Sequence, residues 1–132
     1  MPRFTFSTKS VSRYEFAGAL TTAREASPLI AEMTSSPYDL PHTGATFVLT
    51  TDHASGYYVT DSGYFGGLFS SERGRGDELI TDAIAMGATE LDCFDGFLPT
   101  KYARHGFVET AREANWTPGG PDVVYMSRDI RA

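Results

Sequence analysis

Hydrophobic residues near the amino terminus recur with the period of a helix. Phe16, Leu20 and Ala23 are four and three residues apart, so they share one face of a helix that we expect to end near Ala26. Ser12 precedes this run as a predicted N-cap, and a glutamate three residues later completes the pattern of a capping box. These features predict an amphipathic helix that is buried along one face.

The rest of the chain changes between strand patterns and helix patterns. A short alternating strand is predicted at Phe4–Phe6, before this helix. The later predicted elements are a helix from Pro28 to Met33, strands at 46–51, 56–60 and 63–69, a helix after Gly76 that ends at Gly87, a strand at 89–94, a helix from Pro99 to Gly106, and strands at 107–112 and 122–127. This order predicts an α+β fold, with a mostly antiparallel sheet of about seven strands and about four helices on both faces.

Two segments rich in Pro, Gly, Ser and Asn predict surface loops. The segment Thr34–Gly44 is a candidate lid over a substrate. The segment Asn115–Pro121 carries Trp116, whose ring can form one wall of a pocket or can fold back over the sheet edge.

Length and composition narrow the classes of function. With 132 residues the chain has room for one compact domain over 1–132. The net charge of -6 argues against direct nucleic-acid binding and suits a cationic partner better.

Cys93 is the only cysteine, so no intramolecular disulfide forms, and no Cys/His spacing predicts a metal site. No run of about 18 apolar residues occurs, so we expect no membrane association and a cytoplasmic protein.

One strand-to-helix junction, residues 69–77, carries the clearest chemical signal. Gly74 and Gly76 let the backbone N–H groups turn outward, and the following helix N-terminus adds partial positive charge. The junction therefore suits an anion such as a pyrophosphate. Arg73 and Arg75 reverse the charge of the chain locally and match phosphate geometry. The alternative is a flexible turn with solvated arginines.

The spacing in this junction resembles the acyl-CoA loop of the GNAT acyltransferase superfamily, Gln/Arg-x-x-Gly-x-Gly/Ala, in the window from Ser71 to Gly76. A second motif, Tyr102 followed by Gly106 and Phe107, is similar to the end of the fourth helix in many GNAT enzymes. The surrounding segment resembles small bacteriophage-encoded members. The order of predicted elements also matches this family along nearly the whole chain.

The resemblance implies a GNAT-type fold whose central sheet splays in the middle. It implies transfer of an acetyl or other short acyl group from acyl-coenzyme A to an amine, on a small molecule or a protein. For a phage-encoded enzyme the site of action is the host cytoplasm. The residues expected to hold acetyl-CoA or another acyl-CoA are Leu68, Phe69, Ser71, Arg73, Gly74, Arg75 and Gly76.

Two residues are candidates for proton transfer. The resemblance implies that Tyr102 protonates the departing thiolate, and a phenol with an ordinary pKa near ~10 keeps the required proton at neutral pH. The alternative is a core tyrosine with its hydroxyl at the surface. Asp95 is the nearest candidate to accept the proton of the amine, with Asp92 behind it. A turn or cap before Pro99 is the alternative role for Asp95.

The chain also departs from the family pattern. Ser71 stands where the family usually has Gln or Arg, and the strand at 63–69 lacks the glutamate found in many relatives. A second hypothesis is therefore a non-catalytic GNAT-fold protein, with or without bound acyl-CoA, that engages a partner through its acidic surface. A homodimer remains open on the sequence alone.

Overall fold

The computed structural model describes residues 6–128, which form seven strands and four helices. In chain order these are β1 (Thr8–Val11), α1 (Arg13–Ala26), α2 (Pro28–Met33), β2 (Ala45–Thr50), β3 (Ser55–Thr60), β4 (Phe65–Ser70), α3 (Gly76–Ala85), β5 (Glu90–Phe94), α4 (Phe97–Ala103), β6 (Val108–Glu113) and β7 (Val123–Ser127). A single 3₁₀ turn, Pro37–Asp39, lies in the loop before β2.

The predicted order of helices and strands is confirmed, apart from the position of the first strand. Of the strand predicted at Phe4–Phe6, residues 4 and 5 lie outside the described residues and Phe6 lies in a bend. The first described strand is β1, a polar edge strand that pairs with β2. Such a strand is held by backbone hydrogen bonds, so its sequence shows little hydrophobic alternation.

The helix predicted from Pro99 begins two residues earlier, at Phe97. Gly96 has a φ of 131° and occupies the N-cap, where this conformation lets the chain turn into the helix. Pro99 therefore lies in the first turn of α4. Its missing N–H costs nothing there, because the first N–H groups of a helix have no intrahelical partner.

The predicted cap and buried face of α1 are confirmed. The Oγ of Ser12 accepts a hydrogen bond from the Glu15 N–H at 3.1 Å. Phe16, Leu20 and Ala23 are all buried. Hydrophobic periodicity and capping are thus enough to predict this helix from the sequence.

Helices cover both faces of the first sheet. Successive residues of a strand point to opposite faces. Phe47 and Leu49 of β2 join α1 in one hydrophobic core, whereas Val48 joins α3 in the other. The second core also contains Tyr102 of α4. The predicted α+β arrangement is therefore confirmed.

The strands form two antiparallel sheets rather than one continuous sheet. The first has the order β1-β2-β3-β4, and the second has the order β5-β7-β6. In the described part of the chain, a single parallel bridge between Tyr64 and Glu90 connects them. Beyond this bridge β4 pairs with β3 alone and β5 with β7 alone. The facing edges of β4 and β5 are thus left open.

A bulge lies in the part of β4 that does not pair with β5. The register shifts between Gly56 and Tyr58 of β3, so Gly67 and Leu68 of β4 stand opposite a single residue. Gly67 has a φ of 65°, in the left-handed region that favours glycine. A bulge bends its strand and increases the local twist. It therefore contributes to the separation of the two sheets.

Replacing Phe16 with Ala should lower the free energy of unfolding by about 3–5 kcal/mol. The ring is fully buried and packs against Phe47, Tyr58 and Phe69, with centroid distances of 5.3, 6.4 and 5.7 Å. Tyr14→Ala is the matched control, because Tyr14 lies on the same helix and is 85% exposed. Urea denaturation measures both. A loss under about 1 kcal/mol for Phe16→Ala would contradict the packing described.

Candidate functional site

A cavity of about 520 Å³ opens where β4 and β5 diverge. Its walls are formed by residues 65–70 of β4, residues 92–94 of β5, parts of α2 and α4, and the side chain of Trp116. The volume falls within the range of small-molecule sites in proteins, roughly 300–1,000 Å³. The gap between the two sheets is thus large enough to take a substrate.

Tyr102 lies in the wall of this cavity. Its ring is 7% exposed and packs between Phe65 and Phe107, with both ring centroids 6.0 Å away. No group within residues 6–128 hydrogen-bonds its hydroxyl. Burial raises the pKa of Tyr102 well above its usual range, and the nearby Cys93 and Asp92 raise the pKa further. The phenol therefore stays protonated at neutral pH and can act as a proton donor.

Leu68 and Phe69 of β4 also line the cavity. Over the described residues, this part of β4 pairs with β3 on one side only. The backbone N–H and C=O groups on its other side are therefore directed toward the cavity, where they can bind a ligand in the manner of an additional strand.

The loop after β4 leads into the start of α3 and is exposed to solvent. Ser71, Arg73 and Gly74 are exposed, and Gly74 has a φ of 81°, which favours glycine. Arg75 is the N-cap of α3, and no side chain among the described residues caps this helix. The first N–H groups of α3 thus remain for solvent or for an anion.

The two predicted phosphate-binding arginines differ in their surroundings. Arg75 forms a bidentate ion pair with Asp52, with N–O distances of 2.7 and 3.1 Å, and also donates to Ser55 Oγ at 3.1 Å. Its guanidinium lies 5.0 Å from the centroid of the Phe6 ring. Arg73 is exposed and has no hydrogen bond or ion pair with residues 6–128. Only the Arg73 side chain is therefore free to reach an anion.

Lys101 is a cation at this junction that the sequence motif did not indicate. A Cβ built on Gly76 would lie 2.5 Å from the Lys101 Cε, so the lysine side chain packs directly on the backbone at the start of α3. Lys101, Arg104 and His105 also surround the Asp77 carboxylate, at 3.7, 3.6 and 2.9 Å. These side chains meet because α4 lies next to the start of α3 in the fold. No local sequence pattern predicts that they are close together.

The structure separates Asp95 from the cavity. Its carboxylate accepts a hydrogen bond from Arg112 at 2.7 Å and another from the Gly96 N–H at 3.0 Å. The Arg112 guanidinium, with the Gly96 N–H, holds the pKa of Asp95 below its usual range. Asp92, two strand positions before Phe94, lines the cavity instead and accepts a hydrogen bond from the Tyr64 hydroxyl at 3.1 Å.

Both predicted loops contribute to the cavity. Thr34 and Ser35, at the start of the candidate lid, line one side. Arg24 of α1 holds this segment by donating to the Thr34 carbonyl at 2.6 Å and to the Ser35 carbonyl at 3.1 Å. Trp116 of the second loop lines the cavity while remaining 78% exposed. The ring therefore forms part of the cavity entrance, one of the two orientations predicted.

Comparison with solved structures identifies the fold. An acyl-CoA N-acyltransferase from Pseudomonas aeruginosa matches with a TM-score of 0.68 and 18% identity, over 96% of this chain and 100% of that one. A chimera of the spermidine N-acetyltransferase SpeG from Vibrio cholerae and hSSAT matches with a TM-score of 0.64 and 13% identity, over 97% of each chain. Aminoglycoside 6'-acetyltransferase type Ii gives 0.59 and 8%, over 94% of this chain and 97% of that one.

No family model matches the sequence, and no curated protein sequence matches it. At such low identities the structural similarities establish a shared fold. The α+β fold is shared with solved acyl-CoA N-acyltransferases and N-acetyltransferases, in agreement with the fold that the sequence resemblance implies. Within residues 6–128, no helix is long and apolar enough to cross a membrane, and no group of three His, Cys, Asp or Glu side chains is placed to hold a metal.

Asp52→Asn should lower the free energy of unfolding by about 0.5–1 kcal/mol at pH 7, as for a half-exposed ion pair of good geometry. Arg75 holds the pKa of Asp52 well below its usual range. The stabilisation is therefore complete above the unfolded-state pKa of ~3.9 and is lost as the pH falls toward the folded-state pKa. Thermal unfolding of both proteins at pH 7 and pH 3 measures this change.

The control is Asp61→Asn, because the Asp61 side chain has no hydrogen bond or ion pair with residues 6–128. It should change stability little at either pH. A stability difference between wild type and Asp52→Asn that is absent at pH 7, or that grows on acidification, would show that the Arg75–Asp52 ion pair does not stabilise the fold.

Proposed function

We propose that the protein, as one unit over residues 1–132, transfers an acyl group from acyl-coenzyme A to an amine. One observation carries this proposal: the open edge of β4 and Tyr102 line one cavity between the sheets, and β4 leads directly into the open helix start at 71–76. The reaction needs an anion site, a track for the pantetheine arm and a proton donor. These three features supply one each.

The junction at 71–76 binds the pyrophosphate of the donor. The backbone N–H groups around Gly74 and Gly76 provide most of the hydrogen bonds to the pyrophosphate, and the free Arg73 side chain adds a positive charge. Arg75 acts through its backbone, because its guanidinium is engaged by Asp52. Lys101 packs on Gly76 and adds positive charge at the same place. This charge offsets the loss of the long side chain at Ser71.

The pantetheine arm lies along the open edge of β4, and the thioester reaches the cavity at Leu68 and Phe69. Backbone N–H groups on this edge stabilise the oxyanion that forms when the amine attacks. The amine nitrogen forms a bond to the carbonyl carbon, and the carbon–sulfur bond breaks with its electron pair on sulfur. The nitrogen loses its proton to water as the amide forms.

Tyr102 gives its proton to the departing thiolate. Tyr102 lines the cavity and its hydroxyl has no partner within residues 6–128, so it is available to the leaving group. Because burial raises the pKa of Tyr102, the phenol keeps its proton even in alkaline solution. The product is a neutral thiol. Because a thiol is a weaker nucleophile than a thiolate, the reverse reaction is less favourable.

Gly74→Val should abolish donor binding. Valine is strained at the φ of 81° that Gly74 adopts, and its side chain would stand where the backbone approaches the phosphates. Wild-type protein should be stabilised by acetyl-CoA in a thermal unfolding assay, by about 2.7 kcal/mol when the ligand is at 100 times its dissociation constant. The variant should show no stabilisation.

Gly119→Val is the matched control, because Gly119 has a φ of 84° and, like Gly74, has open space around a built Cβ. It imposes the same backbone strain away from the donor junction. Equal donor affinity in the folded Gly74→Val and Gly119→Val variants would refute the assignment of the junction. Wild-type protein that is not stabilised by millimolar acetyl-CoA would refute the donor itself.

Tyr102→Phe should lower kcat by about 10²-fold, as expected for the loss of a general acid, with donor affinity unchanged. The ring packing against Phe65 and Phe107 is retained in this variant. Release of free thiol from acetyl-CoA with a panel of amines measures turnover. The wild-type rate should show no decrease assignable to this phenol up to about pH 10, since the pKa of Tyr102 is raised.

Tyr125→Phe is a control tyrosine, whose hydroxyl donates to Glu113 at 2.6 Å and which does not line the cavity. Its kcat should match that of wild type. Equal turnover of Tyr102→Phe and wild type would remove Tyr102 from the mechanism. Acetyl-CoA binding without transfer to any amine would instead favour the non-catalytic hypothesis.

A further inference from the structure

The charged side chains that line the cavity all have the same sign. Glu32 of α2 and Asp92 of β5 are the carboxylates in its wall, and no Lys, Arg or His of residues 6–128 lines it. A concave site with only negative charges concentrates cations and repels anions. The cations Arg73 and Lys101 lie instead at the junction at 71–76, next to the carboxylates of Glu72 and Asp77.

Asp92 has no cationic partner within residues 6–128 although it lines the cavity. Asp52, Asp77 and Asp95 are each paired with an arginine, lysine or histidine side chain. Asp92 has no such pair within residues 6–128, and it accepts a hydrogen bond from the neutral Tyr64 hydroxyl at 3.1 Å. That bond fixes the orientation of the carboxylate in the cavity wall and leaves its charge uncompensated.

Several groups around Asp92 respond to its charge. Burial is the main cause of the raised pKa values of Tyr58, Tyr64 and Cys93, and the Asp92 carboxylate raises each pKa further. The rings of Tyr58 and Tyr64 have centroids 6.2 Å apart and both line the cavity. The faces of such rings attract cations, so they favour the same kind of ligand as the carboxylate.

The entrance of the cavity is apolar and aromatic. Leu29, Phe97 and Trp116 line it and are 60%, 64% and 78% exposed. Large apolar side chains exposed together around a concave site commonly mark a ligand surface. A ligand that reaches Asp92 through this entrance therefore needs an apolar portion next to its charge.

We propose that the acyl acceptor is an arylalkyl or alkyl ammonium, held by the Asp92 carboxylate with its apolar portion against Phe97 and Trp116. This inference rests on the proposed acyl transfer, for which it names the acceptor class and the residue that binds it. Asp92 keeps the nitrogen beside the thioester until it loses a proton to water and attacks. Amino acids bind poorly, because their carboxylate is repelled by Glu32 and Asp92.

The test uses 2-phenylethylamine, with 2-phenylethanol as its neutral counterpart and phenylalanine as its zwitterionic counterpart. Trp116 is the only tryptophan of the chain, so its fluorescence reports ligand binding at the cavity entrance. Titrations are made with and without free coenzyme A. Wild-type protein should bind the amine at least about tenfold more tightly than the alcohol or the amino acid.

Asp92→Asn should weaken amine binding by at least about tenfold, bring it close to that of the alcohol, and leave alcohol binding unchanged. Asp92→Glu should restore part of the amine affinity. The matched control is Glu90→Gln, which removes one negative charge from the same strand at an exposed position outside the cavity. Its affinity for the amine should match that of wild type.

Equal affinities for the amine and the alcohol, equal amine affinity in wild type and Asp92→Asn, or no amine binding with or without coenzyme A would each overturn the inference. Because binding is measured without turnover, the two proposals fail separately. Asp92-dependent amine binding without any acetylated product would refute acyl transfer alone. Acetylation of amines with a KM that Asp92→Asn leaves unchanged would refute the acceptor assignment alone.

Discussion

The division of the sheet between β4 and β5 is the constraint on which the rest of the site depends. In the described residues only the bridge between Tyr64 and Glu90 joins the two halves, and beyond it each strand pairs on one side. Open strand edges inside a fold leave backbone N–H and C=O groups without partners. A ligand or solvent must supply the missing hydrogen bonds. The bulge at Gly67 bends β4 in this part, and the hydrophobic cores hold α3 and α4 around the gap. The cavity follows from this separation.

Cationic and anionic side chains are separated around the gap: the cations lie at the start of α3, whereas only carboxylates line the cavity within residues 6–128. At the start of α3, backbone N–H groups, Arg73 and Lys101 provide positive potential. Between the sheets, Asp92 and Glu32 provide negative potential in a largely aromatic wall. Under the proposed function, an anionic donor would be attracted to the junction and a cationic acceptor to the cavity. Tyr102 lines the cavity and its phenol stays protonated, as the proposed transfer requires of a proton donor.

Local signals in the sequence predicted much of the fold and part of the site. The cap at Ser12, the strand-to-helix junction with Gly74 and the position of Tyr102 are each encoded within a few residues. Contacts between distant residues could not be predicted in this way. The engagement of Arg75 by Asp52 spans 23 positions, so the motif alone could not show that this side chain is already paired. The choice between Asp92 and Asp95 depends on strand pairing and on Arg112, which no spacing rule specifies.

The most direct test of the central claim, that the divided sheet is the donor site, is a nuclear magnetic resonance titration of the ¹⁵N-labelled protein with coenzyme A. Backbone N–H signals report the ligand position residue by residue. We expect saturable shifts at residues 68–76 and along the facing edge of β5, with the fully exposed strand β6 unaffected. Shifts confined to β6 or to the outer face of α1, or no shifts at millimolar coenzyme A, would contradict the account.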